Sequence, residues 1–256
     1  MQLTGKTLRK VPEITALFWI TKLLTTAMGE ACSDFLANTI SPYVAVGIGF
    51  LVFAGVLILQ FRAKQYNPWV YWFAVAMVAV FGTMAADVLH KQFGVPYWLS
   101  TSFFAVVLAA VFTLWHKVEG TLSIHTITSL RREMFYWLTV VVTFALGTAA
   151  GDWTANSLGL GYFTSGLLFA ALMLVPLMGL RLRLNEVATF WFAYVVTRPL
   201  GASFADWFGK PHPKGLGWGD GTVTLILTVG IIACVAYMAW DRKEIAAEHR
   251  RVPDQR

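Results

Sequence analysis

Long apolar runs alternate with short polar breaks along the whole chain, and the breaks hold most of the charge. The runs fall near 14–36, 42–61, 67–90, 97–116, 131–155, 161–180, 187–208 and 220–240. Each is close to the roughly 20 residues that a helix needs to cross a bilayer. A transmembrane β-barrel would show shorter segments of alternating polarity. The pattern predicts an all-α, polytopic membrane bundle of eight transmembrane helices in one integral membrane domain spanning 1–256.

Composition strengthens this reading. Only 13% of residues are charged and 57% are hydrophobic, whereas about a quarter of a soluble domain is charged. The eleven Trp suit a membrane, where indole rings anchor at the headgroup level. The first residues are basic, but the run behind them holds Lys22, Glu30 and Asp34 and ends without a small-residue cleavage site. It therefore reads as a helix and not as a signal peptide. Cys32 and Cys234 lie in different runs and make no zinc pattern.

The formal charge of +6 is distributed unevenly. One set of connections holds fifteen basic residues: Lys6, Arg9, Lys10, Arg62, Lys64, Lys117, Arg131, Arg132, Arg181, Arg183, Arg242, Lys243, Arg250, Arg251 and Arg256. The other holds three, Lys91, Lys210 and Lys214, while Lys22 and Arg198 lie inside runs. This asymmetry predicts cytoplasmic N and C termini, with 242–256 as a cytoplasmic tail. The basic excess is thus a topology signal, and nucleic acid is not an expected partner; the lipid bilayer is.

A fixed pattern recurs four times: an aromatic pair ending in Trp, nine residues, Gly, three residues, a small residue, and Asp. The instances are Trp19/Gly29/Ser33/Asp34, Trp72/Gly82/Ala86/Asp87, Trp137/Gly147/Gly151/Asp152 and Trp191/Gly201/Ala205/Asp206. Identical spacing in the odd-numbered runs predicts four parallel two-helix repeats, near 13–62, 67–117, 131–181 and 186–241. The second helices of the first three open with Tyr43, Tyr97 and Tyr162; the fourth has the longer loop "GKPHPKGLGWGDG" instead. Whether the units form a fourfold ring or two pseudo-twofold halves is left open by the spacing alone.

The repeat, together with "KVPEITALFWITKLLTTAMGEACSDFL" and "LGTAAGDW", resembles a bacterial family of uncharacterised membrane-anchored repeat proteins. The resemblance covers essentially the whole chain. It implies a bacterial inner-membrane location and a connection with metal-ion export or resistance.

The residues divide into two tasks. Gly29, Gly82, Gly147 and Gly201, each with a small residue four positions on, suit close helix packing in lipid. The aspartates are not needed for packing, and an ionised one in mid-membrane costs about 2.5 kcal/mol or more. Spacing of four puts residues on one helix face. That face reads Lys22, Thr26, Glu30, Asp34 in the first repeat and Val75, Ala79, Thr83, Asp87 in the second. It reads Val140, Phe144, Thr148, Asp152 in the third and Tyr194, Arg198, Ala202, Asp206 in the fourth.

If the faces converge, Glu30, Asp34, Asp87, Asp152 and Asp206 form a cation site. Thr83 and Thr148 would add neutral oxygens, and His90 a nitrogen. Oxygen ligands favour Mg, Ca or Mn, and His90 tilts the choice to manganese. Protons would compete for the same carboxylates. Arg198, followed by Pro199, is a pairing partner, a gate, or a contact for an anionic substrate; Lys22 is expected to snorkel to the interface. No metalloprotease motif, nucleophile elbow or triad is present, so an enzyme is not expected. The expected function is export of divalent metal cations, manganese first, with a bound divalent cation as substrate and no resident cofactor. The alternatives are a proton-coupled carrier of a small organic ion and a structural or sensory membrane protein.

Overall fold

The computed structural model describes residues 10–182 and 184–251. Lys6, Arg9, Arg183, Arg256 and the end of the tail, 252–256, lie outside them. Among the described residues the chain is all-α. The helices are α1 (Ala16–Thr39), α2 (Pro42–Arg62), α3 (Pro68–Asp87), α4 (Tyr97–Glu119), α5 (Leu130–Asp152), α6 (Gly161–Leu172), α7 (Leu174–Arg181), α8 (Glu186–Gly209) and α9 (Asp220–Arg251).

The first helix of every repeat is capped at the end nearer its Trp. Thr15 accepts from Phe18 N, Asn67 from Trp69 N and Val70 N, Ser129 from Arg132 N, and Asn185 from Val187 N and Ala188 N. Each side-chain oxygen satisfies backbone donors that a helix start leaves unpaired.

Helices α1, α3, α5 and α8 form a closed ring, each packing on the next and α8 returning to α1. The second helices lie outside: α2 packs on α3, α4 on α5, α6 and α7 on α8, and α9 on α1. Every outer helix therefore leans on the inner helix of the following repeat, which makes the bundle a pseudo-fourfold ring. The outer helices turn Leu51, Phe103, Val106, Leu225 and Val229 outward, so an apolar surface encircles the ring and associates with lipid.

Six helices are long and apolar enough to cross a membrane: Pro42–Arg62, Pro68–His90, Tyr97–Glu119, Leu130–Ser157, Gly161–Gly179 and Asp220–Arg242. The chain is a multi-pass membrane protein on this criterion, but the sequence expectation of eight is not met by apolarity alone. The two remaining helices, α1 and α8, are 24 residues each. They carry Lys22, Glu30 and Asp34, and Glu186, Arg198 and Asp206; all of these except Glu186 are buried. Charge lowers their hydropathy because they face the middle of the bundle.

Three details depart from the apolar runs. The run at 161–180 breaks at Met173, where Pro176 supplies no N–H to the carbonyl four residues earlier. The runs ending in Asp87 and Asp152 widen into π turns, Val88–Gln92 and Trp153–Ser157. The last helix extends through Arg251, so most of the expected tail continues α9.

The repeat tryptophans do not all serve as membrane anchors. Trp72, Trp137 and Trp191 are buried, whereas Trp69, Trp98, Trp218 and Trp240 lie outside. The residue before each repeat Trp meets the Trp of the next repeat: Phe18 with Trp72 at 5.5 Å between ring centroids, Tyr71 with Trp137 at 5.6 Å, Tyr136 with Trp191 at 6.1 Å, Phe190 with Trp19 at 5.6 Å. These contacts run once round the ring. Inside them the Tyr71 and Tyr136 hydroxyls hydrogen-bond to each other. One end of the axis is thus closed by packed aromatic rings.

Candidate cation site

The glycines set how closely the inner helices approach. A Cβ at Gly29 would land on Ala79, one at Gly147 on Arg198 and Pro199, and one at Gly201 on Thr26 and the backbone of Ala27. At Gly82 it would sit 3.3 Å from the Phe144 Cβ. The positions met, Ala79, Phe144, Arg198 and Thr26, each lie three residues before the next repeat's glycine. Glycine packing therefore follows the same direction round the ring as the aromatic contacts and brings the four polar faces to one axis.

Arg198 occupies that axis and is fully buried. Its Nη2 donates to Glu30 Oε2 at 2.6 Å, to Thr148 Oγ1 at 2.8 Å and to Thr83 Oγ1. The threonine hydroxyls donate in turn to Ala79 O at 2.9 Å and Phe144 O at 3.0 Å, leaving lone pairs free to accept from the guanidinium. Glu30, Thr83 and Thr148 occupy equivalent positions in three repeats, and Ala202 is the fourth member. A single Arg therefore satisfies one polar layer from three sides.

Toward the other end, Glu30, Asp34 and Asp206 are buried and present carboxylate oxygens within 4.8 Å of one another. Lys210, just past the end of α8, lies over them. Its Nζ donates to Asp34 Oδ2, and it stands 3.7 Å from Asp206 Oδ1 and 3.4 Å from Asp220 Oδ2. The loop that follows folds back on α8: Leu216 N donates to Trp207 O and Gly217 N to Lys210 O. Gly215 sits where a Cβ would strike the Lys210 and Trp207 carbonyls, so the turn that holds Lys210 tolerates little else there. Four carboxylates thus face two fixed cations, Arg198 and Lys210, and an ionised group would carry excess negative charge.

The family model described as Repeat of Unknown Function (DUF347) matches residues 17–66, 70–121, 135–183 and 189–244. The chain belongs to this family. No curated protein and no solved structure matches the chain. Each DUF347 unit contributes one inner and one outer stretch of helix, and the four units close the ring described above.

The DUF347 repeats do not use their aspartates alike. Among the described residues, Glu30, Asp34 and Asp206 form the one group of three with metal-binding spacing. Asp152 is half-buried, within electrostatic reach of Asp206, and accepts from Asn156 Nδ2 at 3.3 Å. Asp87 is buried and lines a small cavity, with Ser33 and Met84, where α1, α2 and the end of α3 meet. His90 is held apart: its Nδ1 contacts Val95 O at 2.9 Å, its Nε2 lies 3.4 Å from Ser100 Oγ, and its ring packs on Tyr97 at 4.3 Å. Thr83 and Thr148 turn to Arg198.

Lys22 does not snorkel. It is buried, with Nζ 4.0 Å from the Phe144 ring centroid and 4.2 Å from that of Tyr194. Those rings supply electron-rich faces, and among the described residues no carboxylate pairs with its ammonium. Glu133 is likewise buried near the aromatic end, paired with Lys10 at 2.7 Å and accepting from Gln60 Nε2 at 2.9 Å. Lys210 is the residue that sequence reasoning missed. Its only signal was position, four residues after the fourth repeat's Asp and so one turn along the same face.

Proposed function

We propose that the protein is a multi-pass transporter of the bacterial inner membrane that exports divalent metal cations, manganese first, with both termini cytoplasmic. In this reading α1 and α8 complete eight spans, because helices enclosed by other helices need no apolar face toward lipid. The fifteen-to-three split of basic residues supports the orientation.

One observation carries the proposal: three buried carboxylates with oxygens inside 4.8 Å of each other, covered by a lysine at the end of a helix. An all-oxygen group suits a hard divalent ion. Lys210 acts as a tethered counter-ion, neutralising Asp34 and Asp206 until a cation replaces its ammonium. Arg198 blocks the axis below and keeps the ion at the level of Glu30. Protons compete for the same oxygens, which couples occupancy to pH.

Flux of Mn²⁺ in reconstituted vesicles, with and without an imposed pH gradient, tests this. Wild type is expected to move Mn²⁺, and Asp34→Asn and Asp206→Asn to reduce flux about tenfold or more, the scale of losing one charged ligand. Undiminished flux in both variants overturns the cation site. Movement of a small organic ion without Mn²⁺ flux would support the organic-ion carrier instead. A second reading has its own support: Glu30 and Asp34 already hold Arg198 and Lys210, as expected of a bundle locked by ion pairs. Under it the same variants alter stability while no flux exists to lose.

A further inference from the structure

The four repeat tryptophans have equivalent places but unequal surroundings. Trp72, Trp137 and Trp191 are buried and Trp19 is half-buried. Trp191 is covered by Phe112 and Trp115 of α4, at ring distances of 5.2 and 5.8 Å. In the register that aligns Trp72 with Trp137, Leu177 takes the place of Phe112 in the third repeat. The helix has just broken at Met173, and Leu177 is 57% exposed. α7 contains no aromatic residue, so no ring from it stands against Trp19 as Phe112 and Trp115 of α4 stand against Trp191.

The result is a cleft of about 550 Å³ between the starts of α1 and α8, the segment at 122–125 and α7. That volume is within the range of sites for small organic molecules. Its walls include Trp19, Phe190, Met173, Pro176 and Leu177; Glu186 is the one carboxylate and His125 the one imidazole, and among the described residues no Lys or Arg lines it. Apolar walls with aromatic faces and a carboxylate, with no lysine or arginine among the described lining residues, select an apolar body bearing positive charge.

We propose that this cleft binds a small lipophilic cation, its apolar body against Trp19 and Phe190 and its charge toward Glu186. The site is at the aromatic end of the inner helices, away from Glu30, Asp34 and Asp206, and does not depend on metal transport.

Equilibrium dialysis of the purified full chain in detergent against tetraphenylphosphonium tests it, with tetraphenylborate as the probe of the same shape and opposite charge. Saturable binding of the cation, without saturable binding of the anion, is expected. Glu186→Gln should weaken it about tenfold, the scale of one lost charge contact. Leu177→Phe restores the aromatic residue of the second repeat, and it should abolish binding while raising the thermal unfolding midpoint. The proposal is overturned if both probes are retained equally or if Leu177→Phe, shown to be folded, binds unchanged. A co-purified phospholipid that tetraphenylphosphonium does not displace would also overturn it, assigning the cleft to lipid.

Discussion

The two ends of the inner ring are built from the same four helices at the same spacing, yet only one keeps the fourfold pattern. At the aromatic end, each ring before a Trp meets the next repeat's Trp, all the way round. At the acidic end, Asp34 and Asp206 meet under Lys210, while Asp87 and Asp152 take other surroundings. Aromatic packing is short-ranged and nearly neutral, so four copies coexist without conflict. Four carboxylates on one axis would repel, and the cost rises as water is excluded. The fold answers with departures from the repeat: Arg198 in one copy, a lysine after one copy, and π turns after Asp87 and Asp152.

The largest effect that separates the ends is expected from the buried ion pair. Arg198→Met alone leaves Glu30 buried and unpaired and should cost about 3–5 kcal/mol. Adding Glu30→Met should restore most of that loss, read by thermal unfolding in detergent. If the double variant is no better than the single, Arg198 contributes by shape and not by charge.

Smaller losses should come from the packing that the two ends share. Gly29→Ala drives a methyl into Ala79, and about 1–3 kcal/mol is expected from such overpacking. Gly82→Ala meets Phe144 at 3.3 Å and should lose less than Gly29→Ala in the same assay. Equal losses would mean that the ring relaxes uniformly and that the close approach at Gly29 is not special. At the aromatic end, Tyr71→Phe removes one hydroxyl of the Tyr71–Tyr136 pair, with an expected loss of about 1 kcal/mol.

The smallest change with pH is expected at Lys210. Burial pulls its ammonium down, but Asp206, Asp34 and Asp220 push it up further, so the net shift is upward from the usual lysine range. A raised folded-state pKa means its stabilisation is complete below the unfolded value of about 10.4. It is lost only as pH rises through the higher folded value, so unfolding between pH 6 and 9 should show no Lys210 titration. Lys210→Met should lower the unfolding midpoint at neutral pH, since Asp34 and Asp206 lose their ammonium partner, and tighten Mn²⁺ binding, since the competing cation is gone; weaker Mn²⁺ binding would mean that Lys210 positions the carboxylates.

Much of the bundle was legible in the sequence because lipid forces the pattern into view. Apolar length located the helices, such as 42–61 for Pro42–Arg62, and fixed spacing from Trp to Asp revealed the repeats. The ring itself was not legible, since spacing within a helix does not say which neighbour it meets. The buried state of Trp72 and Trp137 was hidden for a related reason: a Trp at a helix start reads equally as a lipid anchor or an interior ring. At the site, Glu30, Asp34 and Asp206 stood out as charges in apolar runs. Lys210 did not, because a lysine in a polar loop is ordinary until the chain folds back and places it over the carboxylates.

Binding of Mn²⁺ to the purified protein, followed by loss of the free-ion electron paramagnetic resonance signal, tests the central claim most directly. Wild type should bind Mn²⁺ saturably, Asp206→Asn should weaken that binding about tenfold or more, and Asp87→Asn should leave it nearly intact. No saturable binding by the folded wild type, or equal binding by the Asp206→Asn variant, would contradict a cation site at Glu30, Asp34 and Asp206.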